Sequence, residues 1–348
     1  MLEFAAQYRA VREAVGLLDR SEVGKLAILG PDRFTWLQGM VSNDVRLLEK
    51  GARRLQACVL NATGHLLSDL TLVNVTGDSP LAAALDTAGP DFVLAELPRA
   101  NVEKIVAVFD RLLIMEDVEI RDVSAELGCL SLQGPDAAAC LSSWQAQQTT
   151  LWKLIAASFY AVEADHTGSG GLDLYCTREA VEALREAILL RGVPEIGQEA
   201  QEALRVEAGL PQYGVDMDES VIALEANLGP THISLTKGCY VGQEIIARID
   251  SRGHTNRALT GLILASAPLP APGEKLFSFP TDAEPVPREV GRLTSIIAAA
   301  PAVGGRPIAL GYVRHEQRAS GIRLRMGETA PERIVEVVEL PFYRGNPA

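Results

Sequence analysis

The spacing of apolar and polar positions divides the chain into an alternating helix–strand part and a strand-only part. Met1 to Arg20 sets Phe4, Tyr8, Val11 and Val15 near helical spacing, with Glu3, Arg9, Arg12 and Glu13 between them, which predicts an amphipathic helix. The same charges break any clean apolar stretch of the kind a secretory signal needs. Lys25–Leu29 reads as a short strand, and the Gly30-Pro31 break leads into a helix over Asp32–Met40, with Asp32 and Asp44 available as caps. Ala57–Leu60 and Leu66–Val75 read as strands joined by the turn Asn61–Gly64. Gly89-Pro90 marks a break, Leu97–Phe109 has helical period, and Val118–Val123 and Cys129–Leu132 are strand-like before a helix over Asp136–Trp144.

A second round of the same kind follows. Leu154–Glu163 is β-branched and apolar enough for strands, Gly168–Gly171 is a turn, and Leu172–Cys176 is a strand. Arg178–Arg191 carries Val181, Leu184, Ile188 and Leu189 on one stripe, and Glu199–Gly209 is a further helix closed by its glycine. No fixed-period repeat relates the two rounds, but the alternation suits α+β subdomains. After about residue 255 the helical pattern largely vanishes. Short strand-like runs remain at Leu259–Leu264, Lys275–Phe279, Gly291–Ile297, Ile308–Val313 and Ile334–Leu340, separated by proline-rich loops at 268–272 and 280–287. That pattern predicts a small β-barrel or sandwich, with domains at 1–255 and 256–348.

Composition narrows the functional classes. A chain of 348 residues exceeds one compact core. A formal net charge of −13 disfavours broad nucleic-acid binding, and no apolar run is long enough to cross a membrane. The five cysteines (Cys58, Cys129, Cys140, Cys176 and Cys239) are scattered and odd in number, so reduced thiols in a cytoplasmic setting are expected, with no disulfide framework. The five histidines show no metal-ligand spacing, so no metal site is expected; His65 and His232 lie nearest the motifs below, where packing or turn polarity is their expected role.

Three places carry chemistry. Lys237-Gly-Cys-Tyr-Val-Gly-Gln-Glu244 is a loop-to-helix junction, in which two glycines permit a tight turn and a lysine two positions from Cys239 favours its thiolate. The plain alternative is a small cysteine filling a turn. Asp69 lies on a strand whose alternation sets it with Leu67 and Thr71, a mixed face that leaves its direction open. Glu207 sits on a helix, where most glutamates are solvated.

Lys237–Glu244 resembles the K-G-C-Y-x-G-Q-E signature of YgfZ-type proteins, within the wider family that includes the aminomethyltransferase of the glycine cleavage system. Leu37–Asp44, Leu60–Asp69, Leu132–Pro135 and Arg205–Leu210 resemble further motifs of that family, so the likeness runs from about residue 5 to residue 340. The resemblance implies an α+β fold: two ferredoxin-like subdomains around a central folate pocket plus a C-terminal β-barrel. It implies tetrahydrofolate or a one-carbon-substituted folate as cofactor. Glu207 then meets the pterin, whose donors suit a carboxylate. Lys237, Tyr240, Gln243 and Asp69 line the same site, and Asp69 and Cys239 are the residues expected to react. The implied role is accessory to iron–sulfur cluster assembly or repair, indirectly supporting cluster-dependent tRNA modification, with iron–sulfur proteins as partners. The alternative is a tetrahydrofolate-dependent aminomethyl- or methyltransferase, or a demethylase. A third reading, a surface binding module, is separated from both by whether Asp69 and Glu207 share one cavity. Departures from the aminomethyltransferase pattern are Gln243 in place of an arginine, Ser68 in place of the first of two aspartates, and Thr167–Gly171 in place of a longer motif with a tyrosine and an acidic residue.

Overall fold

The computed structural model describes residues 3–77, 79–85, 91–146, 158–265, 268–280, 286–327 and 333–345. The Gly89-Pro90 break, residues 154–157 and part of the 280–287 loop lie outside them. Contacts group the chain into two compact units, Met1–Gln201 with Pro230–Gln243, and Glu202–Gly229 with Glu244–Ala348.

In the first unit, α1 (Phe4–Glu13) is shorter than its apolar spacing predicts, and Gly16–Asp19 is strand β1. The change falls where the chain passes too close to its neighbours for a side chain. A Cβ on Gly16 would meet Ile196 at 2.6 Å and Val11 at 2.8 Å. There follow β2 (Gly24–Leu29), α2 (Arg33–Met40), β3 (Arg54–Leu60), β4 (Leu66–Val75), β5 (Phe92–Leu97), α3 (Val102–Leu112) and β6 (Glu119–Asp122). Asp32 does not cap α2; its Oδ2 accepts the Asp117 amide at 2.9 Å instead. The helix expected from Leu97 starts at Val102, because Leu97 pairs with Gly24 as the end of a strand and Pro98 follows. These strands form a five-stranded sheet in the order β3-β4-β5-β2-β6. One face is apolar: Leu26, Ile28, Leu55, Ala57, Leu70, Leu72 and Val93 pack against Trp36 and Leu37 of α2 and Ile105 and Phe109 of α3.

The second sheet joins β1 to β7 (Leu127–Gln133), β9 (Gly171–Thr177) and β8 (Phe159–Glu163), in the order β1-β7-β9-β8. Its outer face is covered by α4 (Ala137–Ala146) and α5 (Val181–Leu189), through Leu141, Trp144, Leu184 and Ile188. The inner faces of the two sheets meet in a third cluster that holds Val73, Val75, Phe92 and Leu94 from one sheet and Leu127, Cys129, Val162 and Tyr175 from the other. These are the two ferredoxin-like subdomains, each a sheet with helices on one face.

The helix α6 (Gln198–Glu207) ends in the second unit, which also contains α7 (Gln243–Arg252) from Glu244 onward. A closed barrel follows, β10 (Arg257–Leu264), β11 (Lys275–Phe277), β12 (Glu289–Ala300), β13 (Arg306–Arg314), β14 (Arg323–Met326) and β15 (Ile334–Val338), in the order β10-β13-β12-β11-β14-β15. The pattern predicted five of these strands. The sixth, β14, reads Arg-Leu-Arg-Met and hides its period among charges, yet Leu324 and Met326 alternate into the barrel core.

Candidate functional site

The inner face of the five-stranded sheet changes character along its length. At one end it is apolar, as above. At the other, strand pairing lines up Gln56, Thr71, Glu96 and Lys25 in one cross-strand row, with Cys58 opposite Asp69 in the next. Neighbours across a ladder share a face, so six polar or ionisable side chains occupy one end of the space between the sheets.

Buried charges demand partners, and here they have them. Glu96 pairs with Arg20 and accepts the Tyr175 hydroxyl at 3.0 Å. Arg20 Nε lies 4.0 Å from Asp173, both of whose oxygens lie 3.0 Å from His166 Nε2. Burial opposes the charge on Asp173, but His166 and Arg20 outweigh it and hold this carboxyl well below its ordinary range. Lys25 is fully buried, its ammonium donating to the Ser21 and Val23 carbonyls at 2.9 and 2.8 Å, and burial lowers its pKa. Glu96, Cys129 and Asp173 bring three ligand atoms within 4.8 Å of one another. The Arg20 guanidinium already supplies the positive charge among them, so the cluster is an ion network rather than a cation site.

Asp69 differs from its neighbours. Its Oδ1 is buried with no hydrogen-bond partner among the described residues. Burial foremost, with the nearby Glu96 charge, pushes its pKa up to about 6, against the opposing pull of its own amide and Arg20. Such a carboxyl exchanges its proton near neutral pH.

The signature loop is clamped at both ends. Lys237 Nζ donates to three backbone carbonyls, Gln38 at 2.7 Å, Val41 at 2.6 Å and Asn43 at 2.8 Å, which uses all three of its N–H bonds. Burial lowers its pKa to about 8. In this arrangement Lys237 holds the loop to the end of α2 and has no donor left for a ligand. At the other end Gly242 has φ +84°, and a Cβ there would lie 2.5 Å from the Asn61 carbonyl of the β3–β4 hairpin. Between the clamps Tyr240 points inward. Its ring lies 5.0 Å from Lys237 Nζ, it is buried, and its hydroxyl has no partner. Burial, then the influence of Cys58, raises its pKa to about 12. Cys58 is itself pushed up by burial and by Asp69, so Tyr240, Cys58 and Asp69 are electrostatic neighbours. Cys239 is exposed, while Cys58, Cys129 and Cys176 are buried. Gln243 opens α7, partly accessible, and its backbone N–H donates to the Tyr240 carbonyl at 3.3 Å.

Glu207 lies in the second unit and is fully buried, so it is not a solvated helix residue. Its Oε1 accepts the Ala302 amide at 2.9 Å. Arg205, two residues before it, is structural: it bonds Glu202, Asp216 and Ser295, and Asp216 also accepts Thr294, Ser295 and the Gln212 amide. Among the histidines, His65 Nδ1 meets Thr63 in the hairpin turn, and His232 is buried beside Thr231 with its pKa lowered to about 4 by burial and Arg54. His166, which has no motif of its own, joins the ion network through the pairing of β8, β9 and the turn between them.

Two facing ferredoxin-like sheets, a closed six-stranded barrel and a carboxyl with one buried oxygen at the polar end of one sheet define the class of fold and site. The chain belongs to the GCVT N-terminal domain family, whose model matches residues 3–237. It is 30% identical to an aminomethyltransferase of Geobacillus kaustophilus over 97% of its own length and 90% of the relative's. An aminomethyltransferase of Listeria welshimeri is 28% identical over 97% of the chain and 89% of the relative. The crystal structure of the glycine cleavage system aminomethyltransferase T from Bartonella henselae shares the fold, with a TM-score of 0.80 at 21% identity over 99% of this chain and 90% of that one.

Proposed function

We propose that this chain binds tetrahydrofolate or a one-carbon-substituted folate and supports one-carbon chemistry of the aminomethyl- or methyltransferase type, with Asp69 at the reacting end. The observation that carries the reading is the buried Oδ1 of Asp69, which has no hydrogen-bond partner among the described residues; burial, which raises its pKa to about 6, is consistent with it. A reduced folate presents amine and ring N–H donors, and a buried acceptor without a donor is what such a ligand completes. The Tyr240 hydroxyl is a second buried polar group without a partner and offers a donor or acceptor beside it. When bound, the folate supplies nitrogens that carry the one-carbon unit. Asp69 holds or releases a proton beside them, and its neutral form is available at slightly acid pH. Glu207 is proposed as the pterin acceptor, with Gln243 as a neutral contact; Lys237 acts by fixing the loop. The relatives named above support the transferase type.

Calorimetric titration with tetrahydrofolate tests the reading on wild type, Asp69→Asn and Glu207→Gln. Saturable binding that weakens at least tenfold in either variant supports it. A well-folded wild type that binds none of several folates sinks it.

A second reading rests on Cys239. It is exposed on a loop fixed at both ends, in a segment that reads Lys-Gly-Cys-Tyr-Val-Gly-Gln-Glu. That arrangement supports an accessory role in iron–sulfur cluster assembly or repair in the cytoplasm, with partner proteins supplying the other ligands, since a cluster needs about four thiolates. Complementation of a deletion strain separates the two readings. The accessory role requires that Cys239→Ser lose iron–sulfur enzyme activities while folate binding in vitro is retained.

A further inference from the structure

The polar face that carries Asp69 also carries an arginine with no carboxylate partner among the described residues. Arg54, Gln56 and Cys58 of β3 lie opposite Val73, Thr71 and Asp69 of β4, all on the inner face, since Leu55 and Ala57 point into the helical core. The Arg54 guanidinium reaches back over this face to the Thr71 hydroxyl, its Nη2 3.4 Å away. Its Nε is buried without a partner. Arg20, Arg185 and Arg333 also bury an Nε without a hydrogen-bond partner, but each of them pairs with Glu or Asp, while Arg33, on α2, bonds the Gly30 carbonyl instead. Among the described residues Arg54 pairs with none. His232, on the segment that Ser42 and Asn43 hold against β3, is a further group near Arg54.

Same-face residues along a strand are about 7 Å apart, so the guanidinium at Thr71 stands about one such step from Asp69. Gln56 and Thr71 lie between, and Arg54, Gln56, Asp69 and Thr71 are all partly accessible. An unpaired cation and an unpaired carboxyl oxygen at that separation match a ligand that bears an amine or ring N–H at one end and a carboxylate at the other.

We infer that Arg54 is a carboxylate receptor that sets ligand specificity opposite Asp69, with Gln56 and Thr71 as polar contacts between them. The inference rests on the proposed folate reading for one of its two sources of carboxylate: the glutamyl tail of a folate, or a small amino acid bound beside the folate. A guanidinium suits either, because it donates two parallel N–H bonds to a carboxylate.

The test uses the full chain as wild type, Arg54→Gln and Arg54→Lys, each checked for unchanged thermal unfolding. Binding of tetrahydrofolate, of tetrahydropteroate (which lacks the glutamate) and of glycine with and without tetrahydrofolate is measured by calorimetry. If the tail supplies the carboxylate, wild type prefers tetrahydrofolate over tetrahydropteroate by about tenfold or more. Arg54→Gln removes that preference by weakening tetrahydrofolate alone, and Arg54→Lys restores part of it. If an amino acid supplies it, Arg54→Gln binds both pteridines as wild type does but loses glycine. Wild-type affinities retained by Arg54→Gln for every carboxylate ligand overturn the inference, as does absence of both a tail preference and glycine binding in wild type. Absence of all pteridine binding in wild type instead overturns the folate reading, while the glycine arm still reports on Arg54.

Discussion

At the residue scale the site turns on one carboxyl. Strand alternation in Leu66–Leu72 sets Asp69 with Leu67 and Thr71, but the register shifts where Leu60 pairs with Leu66 and Val59 with Ser68, and Leu67 packs into the helix-side core, so of the two only Thr71 shares Asp69's face. What that face meets is set by Cys58, Glu96 and Lys25, which reach it through pairing between segments far apart in the sequence. The consequence is measurable. The folded chain holds the Asp69 proton up to about pH 6, where the unfolded chain releases it near 4. Between those values the native state binds more protons than the unfolded one. Stability therefore falls as pH rises from about 4 to about 6, by at most about 3 kcal/mol for this group, and is level above. Asp69→Asn removes the charged form that burial penalises. The variant is expected to be more stable than wild type at pH 8 and nearly equal to it at pH 4, by urea unfolding at both pH values. A variant less stable at pH 8 would mean that Asp69 is ionised and well paired in the fold.

At the scale of elements, the signature loop shows how much of a motif is architecture. Lys237 is two residues from Cys239, and proximity in sequence suggests that its charge tunes the thiol. The structure instead turns Lys237 to the carbonyls of Gln38, Val41 and Asn43, a partnership between segments about two hundred residues apart that no local spacing reveals. Gly242 is the more legible of the two clamps: a glycine in a tight loop invites a positive φ, and it has one. Its second constraint, the Asn61 carbonyl, comes from the hairpin and is not visible along the chain. Gly242→Ala meets both constraints at once. It is expected to cost about 1–3 kcal/mol, through left-handed strain and a backbone clash. Hydrogen exchange should localise the loss to residues 237–243 and the 60–65 turn. Lys237→Met leaves three carbonyls with no donor and should loosen the same loop, exposing Tyr240 to quenching by added iodide. If Tyr240 stays protected in Lys237→Met, the clamp is held by other contacts.

Across the whole first unit, the two sheets are joined by an apolar cluster at one end and an ion network at the other, and these were not equally readable. The alternating pattern predicts two α+β rounds and a terminal β-barrel or sandwich, of which the barrel is found, because hydrophobic period is a local property. The network was not readable: Arg20, Glu96 and the hairpin that carries His166 and Asp173 are three separate stretches, and each charge alone looks like an ordinary surface charge. Their burial makes the arrangement costly to disturb. Arg20→Met leaves Glu96 and Asp173 facing one another without their shared cation, and should cost about 3–5 kcal/mol. Glu96→Gln in that background removes one of the two stranded charges while keeping an acceptor for the Tyr175 hydroxyl. The double variant should therefore recover about 1–3 kcal/mol relative to the sum of the two single changes. Urea midpoints with an unchanged slope measure this directly. Additive losses would show that Arg20 and Glu96 are not coupled, and that the apolar cluster alone holds the sheets together. Coupling would mean that the polar end of the inter-sheet space is fixed before any ligand arrives, so that Asp69 meets its ligand in an electrostatic field already set by Arg20 and Glu96.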